Sequence, residues 1–187
     1  MVPKTKNSQK KYDQILKTAT RLFNESGITI SGVDLISAES GVAKMTLYKY
    51  FQSKDGLIKK YLELIAQNTL TKFNDECAKG DAHTCISRFF DNAISDAQKA
   101  ESRACPLVCA SLEVGKENSE FQDVVRGTFE QIRHSFDMKL YEFKHPNARD
   151  ASFSIMNLYQ GSITMSFTQG SIEPLEQAKN QALGLLS

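Results

Sequence analysis

The chain has 187 residues, 41% of them hydrophobic and 24% charged, with a formal net charge of +1, an ordinary globular balance. No apolar run approaches the roughly 18 residues of a membrane-spanning helix, and the lysine-rich start lacks the apolar stretch of a secretory signal, so a protein built on helical spans is excluded and a cytoplasmic one expected. The charge is uneven: residues 1–60 hold eleven Lys/Arg against five Asp/Glu, and residues 61–187 hold twelve against seventeen.

The first helix is expected from about Ser8 to Ser26, with Ile15, Leu16, Ala19, Leu22 and Phe23 on one face at helical spacing. Gly27 closes it as a glycine stop. Ser31 and Asp34 form a Ser-x-x-Asp capping pattern, which predicts a short helix over about 32–39. Gly41 gives the turn, and a second short helix is expected over about 43–50. Ser53 caps a long helix over about 54–79, closed by Gly80. Further helices are expected over about 82–101, Pro106 to Gly115, Phe121 to Phe143, Asp150 to Gly170 and Glu173 to Leu186, with Pro106 at a helix-opening position. Nine or so helices and no strand alternation make the fold all-α.

The segment GVAKMTLYKYFQSKDGLIKKY, residues 41–61, gathers five lysines and three tyrosines behind one glycine. Helix, turn and short helix in this order is a helix-turn-helix arrangement. On the wheel of the second short helix, Leu47 and Phe51 face inward, while Lys44, Met45, Tyr48 and Lys49 share the opposite arc. That arc offers ammonium groups and a phenol for phosphates or base edges, and an apolar side chain for a thymine methyl. The helix start adds backbone N–H groups for a phosphate. The basic third on its own suits nucleic acid, an anionic membrane or simply a solvated surface.

The stretches ILKTATRLFNESG and VDLISAESGVAKMTLYKYFQSKDGLI resemble the N-terminal domain of TetR/AcrR-type transcriptional regulators. The resemblance rests on Ala19, Leu22, Phe23 and Gly27, on Ile36, Gly41-Val42, Thr46-Leu47-Tyr48 and Tyr50-Phe51, and on Ser53-Lys54 and Leu57. It implies a DNA-binding domain over residues 1–53 and a helical ligand-binding and dimerisation domain over residues 54–187. Lys44, Met45, Tyr48 and Lys49 are implied to face bases or adjacent phosphates. Ser31, Thr46, Tyr50 and Lys54 are implied to hold the phosphate backbone, and Lys4, Lys6, Lys10 and Lys11 form a basic arm. Four positions depart from the family pattern: Ala43 lacks the serine cap, Met45 replaces a small residue, and Ser37 and Ser40 replace alanines. Packing is the competing role for Tyr50, and a solvated helix face for Lys59 and Lys60.

The resemblance further implies a homodimer through the last two helices, with palindromic double-stranded DNA as partner and a small molecule as effector. Ser154, Gly161, Ser162 and Ser166 lie among Ile155, Leu158, Ile163 and Phe167, a pattern that permits close helix approach and needs burial. Two recognition helices of a two-fold dimer must then stand about 34–36 Å apart, or at a related spacing. Candidate pocket residues are Phe89, Phe90, Leu107, Leu112, Phe129, Ile132, Phe136, Met156 and Tyr159, for each of which core packing is an equal reading. They suggest an apolar or aromatic ligand, whose binding releases DNA in a repressor.

Four cysteines without a signal peptide are expected to stay reduced. For Cys105 and Cys109 on one helix the readings are small buried residues, a redox or electrophile sensor, or a metal ligand. Cys77, Cys85 and His83 lack zinc spacing, and no cofactor or metal is expected. The enzyme class offers no phosphate loop, nucleophile elbow or zinc motif, and the three histidines, His83, His134 and His145, are scattered. A non-specific DNA binder without ligand sensing is the remaining rival.

Overall fold

The computed structural model describes residues 5–77, 80–99, 105–114 and 118–186. Among them the chain forms nine helices and no strand: α1 (Lys6–Ser26), α2 (Val33–Ser40), α3 (Lys44–Phe51), α4 (Lys54–Cys77), α5 (Ala82–Ala97), α6 (Pro106–Val114), α7 (Ser119–Glu142), α8 (Ala148–Gln169) and α9 (Glu173–Gly184). The expected helix ends at 79, 101 and Gly115, and the arm residue Lys4, lie outside the described residues.

α1 starts two residues before the expected Ser8, because Thr5 and Ser8 cap it reciprocally. The Thr5 hydroxyl accepts from the Ser8 amide at 3.2 Å, and the Ser8 hydroxyl accepts from the Thr5 amide at 2.9 Å. Its apolar stripe of Ile15, Ala19, Leu22 and Phe23 is buried, and Gly27 ends it at a φ of 92° that a side chain would resist. Gly41 ends α2 in the left-handed region at φ 63°.

The expected Ser31 cap is corrected. The residue capping α2 is Gly32, with no side-chain hydrogen bond. The Ser31 hydroxyl turns inward, donating to the carbonyls of Gly27 at 2.7 Å and Leu22 at 3.2 Å. It thereby ties the residue before α2 to two carbonyls at the end of α1. Ser53 caps α4 as expected, its hydroxyl accepting from the Gly56 amide at 3.0 Å.

Packing gathers the described chain into two units, and these are drawn differently from the division at residue 53. The first holds residues 1–66 together with 106–125; the second holds 67–105 together with 126–187. α4 and α7 contribute to both. In the first unit Ile15, Ile36, Leu47, Leu57, Leu62 and Leu107 are wholly removed from solvent, each contributing on the order of 1.5–3 kcal/mol by burial.

The second unit is built on an aromatic cluster. The Phe73, Phe89 and Phe136 rings meet edge to face at centroid distances of 5.2–5.5 Å, the geometry their quadrupoles favour. α8 packs on α9, and both pack on α5. Cys77 and Cys85 are joined in a disulfide across the α4–α5 corner, with Cα atoms 4.5 Å apart. The expectation that all four cysteines stay reduced is therefore corrected for this pair: consecutive helices bring two buried sulfurs together, which their spacing in sequence could not reveal.

Candidate nucleic-acid interface

α3 is an eight-residue helix with one dry side. Leu47 is fully buried, Phe51 nearly so, and Tyr50 is only 8% exposed. Tyr12 on α1 holds this side in place, stacking on Phe51 at 4.7 Å and meeting Tyr50 edge-on at 6.0 Å. The Tyr50 ring thus packs within the chain, the competing role the sequence offered for it.

The opposite side is open. Met45 is 86% exposed and Tyr48 46%, with Lys44 and Lys49 exposed beside them and Thr46 half-buried. A methionine so exposed on a short helix leaves its apolar surface without partners in this chain. Lys44 forms an exposed ion pair with Asp34 at the start of α2, a contact weak enough in water to exchange for a phosphate. The α3 start has no side-chain cap, as the alanine at position 43 implied. Its first N–H groups therefore lack an intrachain side-chain acceptor.

The turn between α2 and α3 is tied by the two serines that depart from the family pattern. The Ser37 hydroxyl donates to the Val42 carbonyl at 2.7 Å, and the Ser40 hydroxyl accepts from the Val42 amide at 3.4 Å. Gln14 on α1 donates to the Ser40 carbonyl at 2.5 Å. These bonds fix α3 against α1 and α2, so the open side is carried by a rigid frame.

Two of the residues that the resemblance gives to the phosphate backbone have partners within the chain. Ser31 is 0% exposed, and its hydroxyl is committed to α1, so it offers nothing to a phosphate. The Lys54 ammonium donates to the carbonyls of Ile28 at 2.7 Å and Thr29 at 3.4 Å. Burial draws its pKa below the ordinary lysine value, against the pull of Asp55 and Glu113. Lys54 ties the frame together at this point. Lys6, Lys10 and Lys11 are exposed on α1.

Among the pocket candidates, Phe89, Phe90, Phe129, Ile132, Phe136, Met156 and Tyr159 join one core in the second unit. Tyr159 packs on Phe89 at 4.1 Å and on Phe90 at 5.9 Å, and burial pushes its hydroxyl far above the ordinary tyrosine range. Leu107 and Leu112 fall in the first unit. Leu107 is fully buried there, whereas Leu112 is 77% exposed. Leu112 is removed from the lining set, because α6 turns its Leu107 and Ala110 side inward. Cys105 and Cys109 are half-buried and not joined in a disulfide.

An open groove of about 790 Å³ runs between α8 and α9, lined by Asn157, Gly161, Met165, Pro174, Gln177 and Gln181 among others. Met165 and Phe167 are exposed, whereas Ser162 and Ser166 of the small-residue pattern are buried within the chain. No described helix is long and apolar enough to cross a membrane, and no described group of His, Cys, Asp and Glu could hold a metal ion.

Known proteins share this arrangement. Residues 15–61 match the family model described as bacterial regulatory proteins, tetR family. Residues 82–181 match that described as transcriptional regulator LmrA/YxaF-like, C-terminal domain. The uncharacterized HTH-type transcriptional regulator YxaF of Bacillus subtilis (strain 168) is 27% identical over 170 residues, 87% of this chain and 88% of that protein. SCO4454, a TetR-family transcriptional regulator from Streptomyces coelicolor, superposes with a TM-score of 0.88 at 21% identity, over 95% of both chains. The reduced form of NemR from E. coli superposes at 0.83 and 17% identity, over 92% of this chain and 95% of that one. At these identities the two structures speak for the fold.

Proposed function

Because the chain belongs to the TetR family of bacterial transcription regulators, we propose that it is a ligand-responsive repressor binding a palindromic operator as a dimer. Proteins of this family bind DNA, work as dimers and are not enzymes. The observation that carries the reading is the open side of α3, with Lys44, Met45, Tyr48 and Lys49 outward and Leu47, Tyr50 and Phe51 inward. Lys44 and Lys49 supply charge to phosphates or guanine edges, Tyr48 a hydroxyl, and Met45 an apolar contact. Thr46, half-buried at the side of the helix, is within the same reading a backbone contact.

The dimer forms across the α8–α9 groove, which pairs with its own copy about a two-fold axis. The aromatic core around Phe89, Phe136 and Tyr159 supports an apolar or aromatic effector. An effector that binds better to a conformation with wider-spaced heads lowers operator affinity by the ratio of its two affinities. The protein acts in the cytoplasm, where its operator lies. A second reading has Cys105 and Cys109 sense oxidants or electrophiles. It is supported by their half-buried thiols.

Selection of duplexes from a random pool, at two salt concentrations, tests the main reading. Enrichment of one palindrome is the expected result. Binding to every duplex that collapses steeply with salt leaves phosphate attraction alone, and a non-specific binder with it. Loss of operator binding on mild thiol oxidation, restored by reductant and absent in a Cys105→Ser, Cys109→Ser protein, favours the second reading.

A further inference from the structure

The α1–α2 corner, Ile28 and Thr29, is held from two sides by opposite charges. Both amides of this dipeptide donate to one carboxylate oxygen of Glu113 on α6, at 2.7 Å from Ile28 and 3.0 Å from Thr29. Both carbonyls accept from the Lys54 ammonium on α4. All four hydrogen bonds are charge-assisted, the stronger class. Glu113 lies 52 residues beyond the segment that matches the N-terminal family model, which ends at residue 61. It nevertheless packs in the same unit as α1 to α3. A second pair repeats the connection: Lys59 on α4 meets Glu120 at the start of α7 at 2.5 Å.

We propose that Glu113 is a positioning residue for DNA binding, its carboxylate fixing the α1–α2 corner and so the presentation of α2 and α3. Ile28 is buried, and Ser31 directly after the corner anchors α2 to the end of α1. A corner freed from Glu113 leaves two N–H groups to water and gives residues 28–30 backbone freedom. That freedom must be lost again when α3 seats on DNA, and affinity falls by the same amount. The charge of Glu113 does more than shape: it also balances the Lys54 ammonium that faces it across the dipeptide. Any movement that carries α6 away from residues 28–29, effector binding included, removes both bonds at once.

The proposal rests on the DNA-binding reading, and the experiment separates the two. Wild-type protein, Glu113→Gln and Glu113→Ala are compared on the duplex that wild-type protein enriches from a random pool. Amide hydrogen exchange is measured at Ile28 and Thr29, and thermal unfolding is followed on each protein. We expect protected Ile28 and Thr29 amides in the wild type and exchange at least about tenfold faster in Glu113→Ala. Operator affinity in Glu113→Ala falls about tenfold, the loss of roughly one charge-assisted bond. Glu113→Gln keeps an acceptor oxygen and recovers to within about threefold of wild type. The salt slope is unchanged, since no phosphate contact is lost. A merely structural carboxylate lowers the melting temperature and leaves operator affinity below it intact, which overturns the proposal. So does rapid exchange of the two amides in the wild type, a measurement independent of whether Glu113→Ala folds. If wild-type protein enriches no duplex, the DNA-binding reading itself falls. If it does and Glu113→Ala binds that duplex equally, only the role of Glu113 falls.

Discussion

Lys49 and Met45 stand on the same open side of α3 and have different physical work. Lys49 brings charge, which attracts any phosphate whatever the sequence beside it. Lys49→Ala should weaken binding to all duplexes about equally and reduce the salt slope by about one. Met45 brings an exposed apolar surface, which under the proposed function touches base edges and releases no counterion. Met45→Ala should change the selected base at one operator position and leave the salt slope as it was. Equilibrium titrations at several salt concentrations check both, and an unchanged slope in Lys49→Ala would remove that residue from the interface. Their positions on the open side were legible from the sequence because a 100° wheel needs only local periodicity. Those of Ser31, Tyr50 and Lys54 were not. Each is polar or amphipathic and sits at a helix boundary, where only the neighbouring helix decides whether the group meets solvent or protein. Ser31 meets two carbonyls of α1, Tyr50 meets Tyr12, and Lys54 meets the corner at Ile28.

Among the elements, the junction of α3 and α4 is the tightest. Gln52 takes a φ of 66° without being glycine, and Ser53 caps the next helix two residues before Asp55. Gly56 sits in the first turn of α4, and a Cβ there would lie 1.9 Å from the Phe51 carbonyl oxygen. Backbone must move to admit it. Gly56→Ala should therefore destabilise the protein by about 2 kcal/mol or more, although alanine is the better helix former. A melting temperature at or above wild type would refute the close approach. Gly56 is visible in the sequence as a glycine out of place in a helix, but its reason is the carbonyl of the preceding helix. Conversely, the nine helices of the described residues follow from local pattern. Their stripes, capping residues and closing glycines are neighbours in sequence, and the ends moved by only a few residues. The disulfide between Cys77 and Cys85 marks the limit of that reasoning, since it depends on the angle at which α4 meets α5.

At the scale of the whole molecule, the α8–α9 groove carries the proposed dimer. Gly161 lies on it with no atom of this chain near where a Cβ would stand. Gly161→Arg should leave the single chain's fold intact, place a charge at the centre of the dimer contact, and yield a monomer. Sedimentation should then report half the wild-type mass, and operator affinity should drop steeply, because two half-sites no longer bind as one. A Gly161→Arg protein that remains dimeric would move the interface elsewhere. The two compact units also redraw the chain at this scale. α6, assigned by sequence to the body, packs with α1 to α3, and this alone brings Glu113 to Ile28 and Thr29.

By itself the sequence determined the all-α class, the helix-turn-helix and the family, because all three are written in short-range spacing: apolar stripes, a glycine turn, a lysine- and tyrosine-rich second helix. It also located the basic third that an anionic partner requires. The tertiary structure alone decided which polar groups are occupied within the chain and which are open. It turned Ser31 inward, set Lys54 on two carbonyls, turned Leu112 out to solvent and carried a carboxylate from α6 to the α1–α2 corner. The reason is that a hydrogen bond or a buried surface depends on the distance between atoms, and residues 85 positions apart have no distance until the chain has folded.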